Sequence, residues 1–279
     1  MKTDLMTLAP QYDAFLIDQF GVLLDGTGAY QGAAAALSTL TGMGKQVVLL
    51  SNSGKRAAPN SARLTRLGFD RDSYITVMSS GEAAFAEIKG RIGQDIAPGA
   101  AVWVHARDGD MSAVAGLDLT PVDEAAAADL LIIAGSRADE FDRAHYRRWL
   151  APAAQRGVPA FCTNPDIKML TPQGQRFGAG VIAQLYEELG GTVEWVGKPY
   201  PLIYRMGQAV LGPSERILCI GDSPEHDIAG GRAAGFATAL VRTGLHAGLS
   251  EDALLEHCRA TAMPDFIIPS FCWEGPRWH

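Results

Sequence analysis

Ala14-Phe15-Leu16-Ile17-Asp18-Gln19-Phe20-Gly21-Val22-Leu23 joins an uninterrupted apolar run to a carboxylate. Four consecutive apolar residues read as a strand buried on both faces, since a half-exposed strand would alternate. Comparable runs recur at 46–50, 102–104, 130–133, 158–161, 193–196, 217–220 and 238–241. Helix-length segments separate them, including one from about 31 to 43 and one from about 59 to 67. This alternation predicts an α/β fold, a Rossmann-like parallel sheet covered by helices on both faces. Ligands of such sheets collect at the carboxyl ends of the strands, so the residues following each run carry the functional argument.

Three strand ends bear unusual chemistry. Asp18-Gln19-Phe20-Gly21 follows the first run, Ser51-Asn52-Ser53-Gly54-Lys55 the second, and Gly221-Asp222-Ser223-Pro224-Glu225-His226-Asp227 the run at 217–220. Gly197-Lys198-Pro199 follows the run at 193–196 and is expected to open a helix with Pro199 in its first turn. Carboxylates, a hydroxyl and an ammonium at one sheet edge are the inventory for holding a phosphate with a divalent cation. Taken singly, each has a plainer explanation: an Asp after a strand usually caps or turns the chain. Residues 81–173, lying between the hydroxyl strand and the lysine, are expected to form an inserted α/β domain, with 1–80 and 174–279 as a discontinuous core.

Composition narrows the classes. The 279 residues carry a net charge of −7 and are 47% apolar, which suits one or two globular domains and argues against nucleic-acid binding. No apolar run reaches the roughly 20 residues of a membrane span, and Met1–Pro10 has no signal-peptide core. Cys162, Cys219, Cys258 and Cys272 are scattered without metal or disulfide spacing, so a cytoplasmic enzyme is expected. Gly26–Gly32 misses the dinucleotide fingerprint by one place, Gly197-Lys198 is no P-loop, and no Gly-x-Ser-x-Gly elbow occurs. No histidine pair has i,i+4 spacing, and no histidine is assigned to a metal, although His226 sits inside the Asp222–Asp227 loop. Arg143, Arg147 and Arg148 read as a solvated helix face. The apolar segment 266–273 suits either return to the core or a dimer contact.

In order and spacing, these elements resemble the haloacid dehalogenase superfamily, close to its class IIA branch of sugar-phosphate, phosphoglycolate and pyridoxal-phosphate phosphatases. The shared motifs include Thr163-Asn164-Pro165-Asp166, Phe177-Gly178-Ala179-Gly180 and Val196-Gly197-Lys198-Pro199. The resemblance implies that Asp18 is a nucleophile forming an aspartyl-phosphate, and that Lys198 neutralises charge in the transition state. It implies Mg²⁺ held by Asp18, the Phe20 backbone carbonyl, Asp222 and, through water, Asp227. Ser51 and Asn52 would bind the phosphoryl group, and Asn164 and Asp166 would reach the leaving group from a cap that closes over the site. The implied partner is a small phosphorylated metabolite, with a homodimer possible and no nucleic acid or membrane.

One residue departs from the family pattern. The superfamily's phosphatases usually carry a second Asp two residues after the nucleophile, as general acid and base; here Phe20 stands there. Positioned proton transfer is worth about 10²–10⁴-fold in rate. Three accounts follow: a phosphatase whose proton comes from elsewhere, such as Asp25, or whose leaving group needs none; a dehalogenase-like enzyme in which Asp18 attacks carbon; or a low-turnover binding module.

Overall fold

The computed structural model describes residues 1–171 and 174–273; the expected boundary at 173 and the last expected core residues, 274–279, lie outside them. The chain divides into two compact units. One comprises 1–51, 58–78 and 198–279, and the other 52–57 and 79–197.

The first unit is built on a six-stranded sheet, in the order Phe266–Ile268, Ala237–Val241, Ile217–Gly221, Ala14–Asp18, Gln46–Ser51 and Thr76–Ser79. The pairings from Phe266–Ile268 across to Gln46–Ser51 are parallel. All five residues of both Ala14–Asp18 and Ile217–Gly221 are buried, as two-sided helical cover requires. Ile17 pairs with Ile220 on one side and Leu49 on the other, and Asp18 pairs with Leu50. That register brings the ends carrying Asp18, Asp222 and Ser51 side by side. Helices Ala33–Gly42 and Ala57–Arg66 occupy the two stretches expected to be helical.

The second unit has its own parallel sheet, in the order Thr192–Trp195, Pro159–Cys162, Leu130–Ile133, Ala100–His105 and Leu119–Pro121. The run at 193–196 is therefore an edge strand of this second sheet, and 174–197 leaves the expected core for the inserted unit. The helix Ala179–Glu188 accounts for the move: it buries Ile182, Leu185 and Tyr186 in one cluster with Tyr146 and Leu150 of the helix Arg143–Gln155. A short antiparallel hairpin, Lys168–Thr171 with Gly174–Phe177, precedes it.

Two further expectations change. The helix after Lys198 is Pro201–Leu211, so Pro201 rather than Pro199 occupies its first turn. Phe266–Ile268 adds an edge strand, and Ile268 and Phe271 are buried, so the C-terminal apolar segment returns to its own sheet. The charges of the helix Arg143–Gln155 behave as a solvated face, with Arg147 paired to Glu188. No helix among the described residues is long and apolar enough to cross a membrane.

Candidate active site

Asp18 ends its strand, Asp222 begins the loop after Gly221, and Asp227 lies in the π-type turn Pro224–Ile228, which runs into the helix Ala229–Ala233. Lys198 precedes the helix Pro201–Leu211, whose Gly207 lies close against Leu16 and Leu50 of the sheet. All four residues are at most 6% exposed. Lys198 Nζ donates to Asp18 Oδ1 at 2.5 Å and to Asp227 Oδ1 at 2.7 Å. The Ser223 amide donates to Asp227 Oδ2 at 3.1 Å, and the Leu245 amide to Asp222 Oδ2 at 2.8 Å. One carboxylate oxygen from each aspartate lies within 4.8 Å of the others.

Two glycines approach Asp222 closely. A Cβ at Gly21 would stand 2.2 Å from its Oδ2, and one at Gly244 2.0 Å. Both glycines have positive φ, +95° and +75°, so shape and backbone conformation both demand glycine there.

The electrostatics are unbalanced. Three buried carboxylates face one ammonium, a formal excess of two negative charges when all are ionised. Burial, reinforced by Asp227, pushes the Asp222 carboxyl up to about 7. Burial also raises Asp18 well above the ordinary carboxylate range; Lys198 opposes this, while Asp227 and Asp222 add to it. For Lys198, burial works against the charged form, but Asp18 and Asp227 outweigh it and hold the ammonium firmly protonated. Three hard oxygen donors with a two-charge excess fit a divalent cation of the Mg²⁺ kind, so Asp18, Asp222 and Asp227 are the residues that would hold one.

Ser51, at the end of the strand beside Asp18, is buried in the same unit. The other expected contacts gather in the second unit. Asn52 Nδ2 donates to Asp166 Oδ1 at 2.8 Å, and the Asp166 amide donates to Asn164 Oδ1 at 3.2 Å. The Phe177–Gly180 motif has a packing reason: Cβ atoms at Gly178 and Gly180 would overlap the carbonyls of Asp166 and Pro165.

Phe20 is 45% exposed in a tight turn, where the Leu23 and Leu24 amides both donate to the Gln19 carbonyl. Asp25 caps its own turn: its Oδ1 accepts from the Thr27 amide and hydroxyl, each at 2.7 Å, and these bonds lower its carboxyl below the usual range. His226 contributes its carbonyl, which accepts from the Tyr204 hydroxyl at 2.9 Å.

Sequence reasoning missed two contributors. Arg63 donates to Gln19 Oε1 at 2.9 Å, and burial lowers its pKa against the favourable charge of Asp18. The 243–245 loop supplies the amide on Asp222, and Thr243 Oγ1 donates to the Gly21 carbonyl at 2.6 Å. Backbone donors leave no side-chain signature; for Arg63, a basic residue in the last turn of its helix was the available signal.

Comparison with known proteins identifies the family. A family model described as haloacid dehalogenase-like hydrolase matches residues 15–120, and a HAD-hydrolase-like model matches 195–273. The chain is 31% identical over 234 residues to the sugar-phosphatase AraL of Bacillus subtilis, covering 82% of each. It is 27% identical to the dihydroxyacetone phosphatase of Corynebacterium glutamicum, covering 94% of this chain and 92% of that one. The structure of glycerol phosphate phosphatase from Mycobacterium tuberculosis in complex with magnesium superposes with a TM-score of 0.75 at 25% identity, over 97% of this chain and 78% of that chain. The chain therefore belongs to the haloacid dehalogenase-like hydrolases, on the class IIA branch that its motifs resemble.

Proposed function

We propose that the protein is a Mg²⁺-dependent phosphatase of a small phosphorylated metabolite, working through an aspartyl-phosphate on Asp18. The single observation that carries this is the buried cluster of Asp18, Asp222 and Asp227 around one lysine. Attack at carbon needs no cation and would leave Asp222 and Asp227 as buried charge without purpose, an arrangement that costs several kcal/mol. Phosphatase relatives support the substrate class, and the magnesium complex of a relative supports the choice of ion.

In this reading, Asp18 attacks phosphorus as the ester oxygen departs with the bonding pair. Water then attacks phosphorus and the Asp18 carboxylate leaves with inorganic phosphate as the product. Bound Mg²⁺ would supply positive charge to the phosphoryl oxygens. Lys198 favours the ionised form of Asp18 against its burial and compensates charge on the same oxygens. Asp222 and Asp227 hold the cation, and the Phe20 backbone carbonyl is assigned as a further ligand. Ser51 and Asn52 bind the phosphoryl group, and substrate choice is assigned to Asn164 and Asp166. Phe20 supplies no proton, so the best substrates are those with stable leaving groups, acyl or anomeric phosphates above all.

Phosphate release from a panel of phosphometabolites, with Mg²⁺ and with EDTA, tests this. Turnover should require the cation and fall by at least about 10³-fold in Asp18→Asn. Metal-independent halide release from 2-haloacids would establish the carbon-centred reaction instead. Mg²⁺-dependent ligand binding with no turnover would establish the binding module.

A further inference from the structure

We propose that Glu225, His246 and His257 form a second cation site, suited to a zinc-like transition ion and separate from the aspartate cluster. They come from three elements: the turn Pro224–Ile228, the short helix Gly244–His246 and the helix Glu251–Ala260. One ligand atom of each lies within 4.8 Å of the others. The Glu225 carboxylate lies between the imidazoles, with Oε1 2.7 Å from His257 Nε2 and Oε2 3.9 Å from His246 Nε2. Donors around a tetrahedral zinc stand roughly 3.3 Å apart, inside the range these atoms span. The rings are tilted at 47° with centroids 4.8 Å apart, so they are not stacked on each other. Both Nε2 atoms are shielded from solvent, while the side chains remain 18–43% exposed and leave a way in. Ser223 Oγ donates to Glu225 Oε2 at 3.0 Å and fixes the carboxylate, as second-sphere groups do in metal sites.

The donor set decides the ion class. Two imidazole nitrogens and one carboxylate suit zinc, cobalt, nickel or copper, whereas Mg²⁺ prefers the all-oxygen aspartates. Three protein ligands leave a fourth position for water. An ion here would tie three elements together, two of which serve the first site: Leu245 holds Asp222, and Asp227 follows Glu225 in one turn. The proposal stands independently of the phosphatase reading.

The test is to titrate Co²⁺ into chelator-stripped full-length protein kept in excess Mg²⁺, following visible d–d absorption, and then to displace it with Zn²⁺. One ion per chain is expected. His246→Ala and His257→Ala should each bind it at least about 100-fold more weakly, since even outer-sphere changes cost 10–100-fold. Asp222→Asn should leave the absorption unchanged. His257→Gln, with far-UV circular dichroism matching the native chain, guards against loss through misfolding. Absence of Co²⁺ absorption would reduce the cluster to an ion pair and overturn the proposal. Equal binding by native and histidine variants, or loss in Asp222→Asn, would overturn it by placing the ion elsewhere.

Discussion

Replacing Asp222 by Asn removes one charge from the cluster while keeping an oxygen to accept the Leu245 amide. The Asp222 carboxyl stands at about 7 in the fold against an ordinary 3.8. Because the folded value lies above the unfolded one, the group's favourable contribution is complete below about pH 3.8 and is lost as pH rises towards 7. That rise corresponds to a cost of up to about 4 kcal/mol above pH 7. Without cation, Asp222→Asn should therefore match the native protein near pH 4 and exceed it by about 2–4 kcal/mol at pH 8. In melting temperature this is roughly 4–16 °C. Mg²⁺ at about 1,000 times its Kd should cancel or reverse the difference, since it stabilises its binder by about 4.1 kcal/mol. Urea unfolding at pH 4.5, 6 and 8, in EDTA and in Mg²⁺, reads all of this. A variant less stable than the native chain at pH 8 in EDTA, or a difference independent of pH, would refute the electrostatic account.

Phe20→Asp should raise kcat on alkyl phosphates by about 10²–10⁴-fold and barely change it on p-nitrophenyl phosphate, as steady-state kinetics on both substrates would show. Gly244→Ala places a Cβ 2.0 Å from Asp222 Oδ2 at a φ of +75°; Mg²⁺-dependent thermal stabilisation should disappear, while Gly26→Ala, in open space, should retain it. In the second unit, burial lowers His105 from 6.5 to about 4, with its Nε2 2.9 Å from the Tyr146 hydroxyl. Its contribution is present above pH 6.5 and is lost as pH falls towards 4, so its NMR resonances should stay flat from pH 8 to 5.

The aspartate cluster was legible because a parallel sheet points every strand's carboxyl end to one edge. Asp18, Ser51 and Asp222 each follow an apolar run, and adjacency of the three strands did the rest. The run at 193–196 misled because an apolar strand carries no mark of the sheet it joins. Its membership was settled by the helix before it, whose Tyr186 hydroxyl donates to the Val158 carbonyl, just ahead of the strand Pro159–Cys162 of the second sheet. Phe266–Ile268 is too short to show a period. Glu225, His246 and His257 share no motif spacing, and only the tertiary fold brings them together.

Phe20 ties the remaining threads. At 45% exposure the ring is not core material, so packing does not explain why a phenyl stands where the family resemblance leads to a carboxylate. Asp25 is no substitute, because its turn bonds hold it ionised, and a general acid must carry a proton at the working pH. Asp222 and Asp227 are engaged by the Leu245 and Ser223 amides and by Lys198. With these groups committed, the proposed mechanism has the departing oxygen leave as a stable anion or draw its proton from water or the substrate itself. Under the proposed phosphatase mechanism, leaving-group acidity then becomes the strongest determinant of rate, and such a site would select substrates by the bond it breaks as well as by the shape it accepts.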